Sequence, residues 1–354
     1  MAPDNLSFYE RPASRNPVSI ISIPFEYGSD ARGLAKAPRH LFDCGLERML
    51  NVIGVTIEEK EIIACPKNLA PTLQFPKYLQ ETASVARAVC ASVAARRKKR
   101  ETVISLCGDH ASAIGSIAGA ASAGERIGVI YIDAHPDIHT HETTISGNTH
   151  AMVASASMGL GHPLLSEVGD RRVKVQPKDF LYLGIKDFDS QEPALIRQSG
   201  ARSITMLDVA LHGLAQVQKA IDALSKQVDS VWISMDMDSI DKQYSPGVAM
   251  PCTDGFTRRE IISIAHHIGV TCNVAGFDLV EMLPANDIDN KTAVLALEIS
   301  ARFLGAEYTW YRSYMAPYEA KRTPKSVVQK SLRGVTRARS LLRPRSTHGR
   351  VRAK

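Results

Sequence analysis

The stretch Ile127-Gly128-Val129-Ile130-Tyr131-Ile132-Asp133, running directly into Ala134-His135-Pro136-Asp137, decides the reading of the fold. A short β-branched run closed by turn residues reads as a strand. Comparable runs lie at Pro17 to Pro24, Thr102 to Cys107, Phe180 to Ile185, Ser230 to Asp236 and Val274 to Val280. Between them, Leu79 to Arg97, Leu214 to Val228, Arg258 to Ile268 and Thr292 to Phe303 carry helical periodicity. Strands alternating with helices form a parallel sheet with helices on its faces. No Pro/Gly/Ser linker interrupts the pattern before Met315. The expectation is one α/β catalytic domain over residues 1–318 and a basic, disordered or peripheral tail over 319–354.

Three acid-and-histidine clusters follow directly on predicted strands, and in an open parallel sheet ligands gather at the carboxyl ends of the strands. Gly108-Asp109-His110 comes after Thr-Val-Ile-Ser-Leu-Cys. Alone it is a weak signal, since a histidine at a strand end is commonly a hydrogen-bonded structural residue. Asp133, His135 and Asp137 place three ligand types within five residues, and burying them without a cation would cost several kcal/mol for each unpaired charge. Asp236 and Asp238 follow Val-Trp-Ile-Ser at period-two spacing, which lets both carboxylates project to one side, and Asp241 lies three residues on. An Asp-rich surface turn is the plain alternative for that cluster. Together the clusters offer four carboxylates and two imidazoles with no thiolate. That set favours harder divalent ions such as Mn²⁺ over structural zinc. It is also too large for one ion that keeps an open position, and suits two ions sharing carboxylates.

Composition bounds the alternatives. Hydrophobic residues make up 44% and charged residues 23% of the 354, as in soluble globular proteins. No apolar run approaches the ~20 residues of a membrane-spanning helix. Met1 to Asn16 has no apolar core and carries Asp4 and Glu10, unlike a secretory or transit peptide, so the expected location is cytoplasmic. The six cysteines (Cys44, Cys65, Cys90, Cys107, Cys252, Cys272) show no framework spacing and read as reduced thiols. The net charge of +6 is uneven: 12 of 43 Lys and Arg fall between Ala320 and Lys354, where there is no acid. A tail binding RNA, an acidic surface or a membrane is the less favoured reading of that segment. The basic run Arg96 to Arg100 reads as a solvated helix end offsetting the helix dipole rather than a nucleic-acid patch.

Taken in order, Gly108-Asp109-His110, Asp133-Ala134-His135-Pro136-Asp137, Ser146-Gly147-Asn148-Thr149-His150, Ser234-Met235-Asp236-Met237-Asp238 and Asp278-Leu279-Val280-Glu281 resemble the motifs of the arginase (ureohydrolase) family. The resemblance runs from about Pro17 to Phe303. It implies a three-layer α/β/α fold with a mostly parallel central sheet, found in trimers or hexamers, and two Mn²⁺ per subunit. By the same resemblance His110 and Asp137 hold one ion and His135 and Asp238 the other, with Asp133 and Asp236 bridging. Hydroxide between the ions would attack a guanidinium carbon, giving urea and an amine. Glu281 would hold the guanidinium, and His150 would shuttle a proton to the leaving amine. Ser146 and Thr144 match contacts to an α-carboxylate, with Asn148 in the same motif, and Asp189 matches a contact to an α-amino group. These favour L-arginine, giving L-ornithine and urea, over agmatine.

Two positions depart from the family pattern: His139 stands in place of an asparagine and Met250 in place of a threonine. Lys242 also replaces a proline after Asp241. The alternatives are therefore another ureohydrolase (agmatinase, guanidinobutyrase or formiminoglutamase) or an inactive regulatory relative. Asp187 and Glu192 are either substrate contacts or solvated loop acids.

Overall fold

The computed structural model describes residues 9–10 and 16–308. The expected domain boundary at 318 and the basic tail lie outside them. Apart from the two-residue strand β1 (Tyr9–Glu10), the chain alternates β2 (Val18–Ile23), α1 (Ala37–Asp43), α2 (Leu46–Val52), β3 (Ile57–Ile62), α3 (Leu79–Lys98), β4 (Thr102–Cys107), α4 (Ala113–Ala121) and β5 (Ile127–Ile132). It continues through α5 (Val153–Ser157), α6 (Pro163–Ser166), β6 (Phe180–Ile185), α7 (Glu192–Ser199), β7 (Arg202–Thr205), α8 (Met206–His212) and α9 (Leu214–Ser225). Then come β8 (Ser230–Asp236), α10 (Arg258–Thr271), β9 (Val274–Val280) and α11 (Lys291–Phe303).

Strands β2 to β9 make one parallel sheet in the order β3-β2-β4-β9-β8-β5-β6-β7. Parallel sheets need cover on both faces. Helices α3 and α4 pack together, with α5 and α6 beside them, while α9, α10 and α11 pack in series with α1 and α2 against α11. The six strands expected from sequence are those with every residue buried, which is why their β-branched runs were legible. The two edge strands escaped that reading. β3 reads Ile-Glu-Glu-Lys-Glu-Ile and is largely exposed, with charges of the kind that protect a free sheet edge.

The basic run at the end of α3 corrects the solvated-end expectation. Lys98, Lys99 and Arg100 are exposed, but Arg96 and Arg97 are buried. Arg96 reaches Glu59 at 2.5 Å and Glu61 at 2.8 Å, both on the edge strand missed from sequence. Arg97 donates to the Glu101 carbonyl at 2.6 Å and pairs with Glu125 at 2.8 Å. Truncating one member of a buried ion pair strands the other, although solvent reaching Glu125 softens the loss. Arg97→Ala is expected to cost about 2 kcal/mol in urea unfolding without changing the metal content of the folded protein. A midpoint equal to wild type would show that the pair contributes nothing.

Candidate active site

Four adjacent central strands, β4, β9, β8 and β5, end on the same rim, and each delivers part of one constellation. His110 follows β4; Asp133, His135 and Asp137 follow β5; Asp236 closes β8 with Asp238 just after it; Glu281 follows β9. His110 Nδ1 lies 3.1 Å from Asp133 Oδ2, 3.2 Å from Asp137 Oδ2 and 3.2 Å from Asp236 Oδ2. His135 Nδ1 lies 3.5 Å from Asp133 Oδ1 and 3.4 Å from Asp238 Oδ2. Five of the six expected ligand residues thus form two neighbouring groups with Asp133 common to both, and Asp236 joins the first through His110.

Local backbone chemistry explains the convergence. The Asp133 carboxylate accepts from the His135 amide at 2.7 Å, and the Asp236 carboxylate accepts from the Asp238 amide at 2.8 Å. Each strand therefore turns on an Asx bond that aims its two acidic or imidazole groups at one place. Asp137 and Glu281 both sit at positive φ, 47° and 61°, a costly conformation for non-glycine residues that collects at functional sites.

Gly108 is fixed by close approach: a Cβ there would run into the Phe25 carbonyl oxygen. Gly108→Ala should push the Asp109-His110 turn away from Phe25. The expected result is a loss of about 3 kcal/mol in stability with weaker metal uptake, read by thermal unfolding with and without added Mn²⁺. An alanine variant matching wild type on both counts would remove this account of the motif.

The electrostatics of the groups fit a divalent centre. Burial pushes Asp236 well above the usual carboxylate range, reinforced by Asp238 and Asp133; burial and Asp137 raise Asp133. Burial also tends to raise Asp137, but His110 overrides it and Asp137 ends lower than usual. Burial opposes the charge on His110 and on His135, yet the surrounding carboxylates raise both imidazoles. His110 Nε2 lies 2.9 Å from the Ser234 hydroxyl, so a ring that keeps its Nε2 proton and gives up the one on Nδ1 would turn a lone pair toward three carboxylates. A lone pair facing anions is repulsive unless a cation stands between them. The donor atoms of each group lie close enough together that one ion could be held by all of them. Buried Asp238 Oδ1 also lacks a hydrogen-bond donor.

These groups floor a cleft of about 360 Å³. Ser146, Asn148, His150, His139, Asp189 and Met250 line it as expected, with Asp137 and Glu281. Thr144 does not line it: its buried hydroxyl accepts from the Gly147 amide at 3.0 Å and serves the loop. Asn148 has its amide committed, donating to Asp30 at 3.0 Å and accepting from Lys77 at 3.1 Å. Glu281 Oε1 accepts from the His110 amide at 2.8 Å and lies 3.3 Å from His150 Nδ1. Burial opposes the His150 charge, but Glu281 outweighs it and lifts the pKa to about 9.

At the outer end, His139 Nε2 lies 3.0 Å from Asp189 Oδ2, and its Nδ1 is 3.1 Å from Thr143 Oγ1. Glu192 is buried, accepts from the Asp189 amide at 2.8 Å and is raised to about 7 by burial, so it is no solvated loop acid. Asp187 is exposed and pairs with Lys186. Met250 stands half-exposed at the rim.

All six cysteines are free thiols, and Cys252 donates to the Asp238 carbonyl at 2.8 Å. The Lys242 amide donates to the Cys252 carbonyl at 2.9 Å, a bond that proline could not make. Sequence reasoning gave no role to Tyr131 and Ser234. Their only sequence signal is position, two residues before Asp133 and two before Asp236.

The chain belongs to the arginase family, whose family model matches residues 16–305. It is 33% identical to the arginase of Bacillus caldovelox over 293 residues, covering 82% of this chain and 98% of that one. The solved structure of that enzyme superposes with a TM-score of 0.79, covering 82% and 98% at 32% identity. The arginase of Entamoeba histolytica, solved in complex with L-ornithine, gives a TM-score of 0.75 at 27% identity, covering 82% of this chain and 99% of that one. No helix among the described residues is long and apolar enough to cross a membrane.

Proposed function

We propose that the chain is an arginase that hydrolyses L-arginine to L-ornithine and urea with two Mn²⁺ per subunit. The observation that carries this reading is the convergence of two ligand groups sharing Asp133, with Glu281 and His150 3.3 Å apart in the same cleft. The donors are oxygens and imidazoles with no thiolate, which suits Mn²⁺. His110, Asp133, Asp137 and Asp236 would hold one ion, and Asp133, His135, Asp236 and Asp238 the other. Such a pair, when bound, supplies a water acidic enough to be hydroxide near neutral pH.

The chain's own groups do the rest. Glu281 pairs with the guanidinium and sets its carbon over the cation groups; charge-assisted bonds of this kind are strong and directional. His150, held by Glu281 and protonated near neutrality, gives its proton to the departing amine. Ser146, Asn148, His139 and Asp189 line the same cleft and would border the amino-acid end of the substrate. The assembly is taken as a cytoplasmic trimer or hexamer.

One observation favours a second ureohydrolase reading. His139 is committed to Asp189, and the described residues lining the cleft include no Lys or Arg, so no fixed cation meets a carboxylate. A guanidino substrate ending in an amine, such as agmatine, fits that wall. Urea release from L-arginine, agmatine and 4-guanidinobutyrate by Mn²⁺-loaded protein decides between them. Turnover of agmatine alone would overturn the arginase assignment.

A further inference from the structure

We propose that Tyr131 is a positioning residue for the cation held by His110 and Asp137, acting through its hydroxyl on Asp137. The proposal rests on the two-cation reading above. The Tyr131 hydroxyl donates to Asp137 Oδ2 at 2.7 Å and lies 3.3 Å from His110 Nδ1. Its ring stacks on the His110 imidazole, with centroids 4.9 Å apart and planes within 5°. The side chain is fully buried and wedged by Phe180 and Tyr182 at 5.4 and 5.6 Å, so the hydroxyl has little freedom to turn elsewhere.

The sheet register shows how this arises. Tyr131 on β5 is paired with Ser234 on β8, and Ser234 Oγ lies 2.9 Å from His110 Nε2. One cross-strand pair therefore brackets the imidazole. Ser234 meets the nitrogen directed away from the cluster, and Tyr131 covers the ring face and reaches the oxygen beside the other nitrogen. Side chains alternate along a strand, so Tyr131 and Asp133 share a face, and the phenol is delivered to the floor of the site by the same strand that supplies the shared carboxylate.

Asp137 has special need of such a partner. It stands at φ 47°, outside any strand, and its Oδ2 is 3.2 Å from His110 Nδ1. A donor on Oδ2 fixes the rotation of the carboxylate and prevents it from swinging into the cleft when the cation leaves. Hydrogen bonds to ligating carboxylates of this kind tune affinity for the metal itself, and their loss typically weakens binding 10–100-fold.

The test is Mn²⁺ titration of metal-free Tyr131→Phe by calorimetry, with electron paramagnetic resonance separating coupled from isolated Mn²⁺. Phenylalanine keeps the ring stack and leaves no large void. The variant is expected to bind one ion as wild type does and the other roughly 10–100-fold more weakly. At limiting Mn²⁺ it should show isolated rather than coupled spectra, while its metal-free melting temperature stays near wild type. Tyr182→Phe is the internal control: the Tyr182 hydroxyl is buried without a partner, so its removal should leave both affinities unchanged. Two wild-type affinities in Tyr131→Phe would overturn the proposal while leaving the two-cation reading standing. An intense visible charge-transfer band on loading wild type with Fe³⁺ would also overturn it, because the phenol oxygen would then be a ligand. Failure of the wild-type chain to bind two ions would instead remove the functional reading beneath it.

Discussion

Asp133→Asn is expected to lower kcat by on the order of 10³-fold or more and to abolish coupled binding of two cations. A factor of 10³ is about 4 kcal/mol, the scale at which cations stabilise developing charge. Asp133 belongs to both ligand groups, with Oδ2 3.1 Å from His110 and Oδ1 3.5 Å from His135. Asparagine keeps the carbonyl that accepts from the His135 amide at 2.7 Å, so the turn survives. What changes is one negative charge and one oxygen. Steady-state urea release with metal analysis on the same sample checks the result, and activity within tenfold of wild type would sink the shared-ligand reading.

The same variant separates metal binding from folding. Without cations, Asp133, Asp137, Asp236 and Asp238 are crowded in a low-dielectric floor, and removing one charge relieves that repulsion. The metal-free variant should therefore be at least as stable as metal-free wild type.

The pH dependence follows with its sign. Asp236 and Asp133 are raised, Asp278 to about 6 and Asp109 to about 8, in each case chiefly by burial. The folded form then holds these protons to higher pH than the unfolded chain. The contribution of these groups to metal-free stability is greatest below the ordinary carboxylate pKa, near 4, and is lost as pH rises toward 8. Cation binding requires deprotonated ligands, so Mn²⁺ affinity should rise over the same window. Thermal melts from pH 4.5 to 8 with and without Mn²⁺ should show opposite slopes.

The parts of this architecture legible in the sequence are those whose side chains carry a one-dimensional pattern. β4, β5, β8 and β9 are buried along their whole length, so they appear as mainly apolar runs, and the ligand residues and Glu281 stand at their ends. The edge strands β3 and β7 lack that pattern because one side of an edge strand meets water. The pairing of Arg96 with Glu59 and Glu61 was hidden for the same reason, since it depends on β3 lying beside the end of α3. Tyr131 and Ser234 look like ordinary strand residues until the register sets them across from each other around His110. Thr144 carries a loop role that its residue type did not announce, its hydroxyl accepting from the Gly147 amide.

Glu281→Gln should lower kcat/KM by roughly 10³-fold with both cations retained. Glu281 ends β9 at φ 61° and presents its carboxylate to the cleft, with Oε1 anchored by the His110 amide at 2.8 Å. Glutamine can accept that same bond through its own oxygen, so the backbone at His110 stays in place. It lacks the charge that faces a guanidinium. Removing one partner of a desolvated ion pair costs about 3–5 kcal/mol, which corresponds to a rate loss of ~10²–10⁴-fold when the pair persists into the transition state. His150 loses its main support as well, since Glu281 outweighs burial in holding its proton. The loss should therefore appear in kcat as well as KM, and a neutral urea-like competitor should lose far less affinity than a guanidinium one. Equal losses for both would assign Glu281 to shaping the cleft, and wild-type turnover would remove it from the reaction.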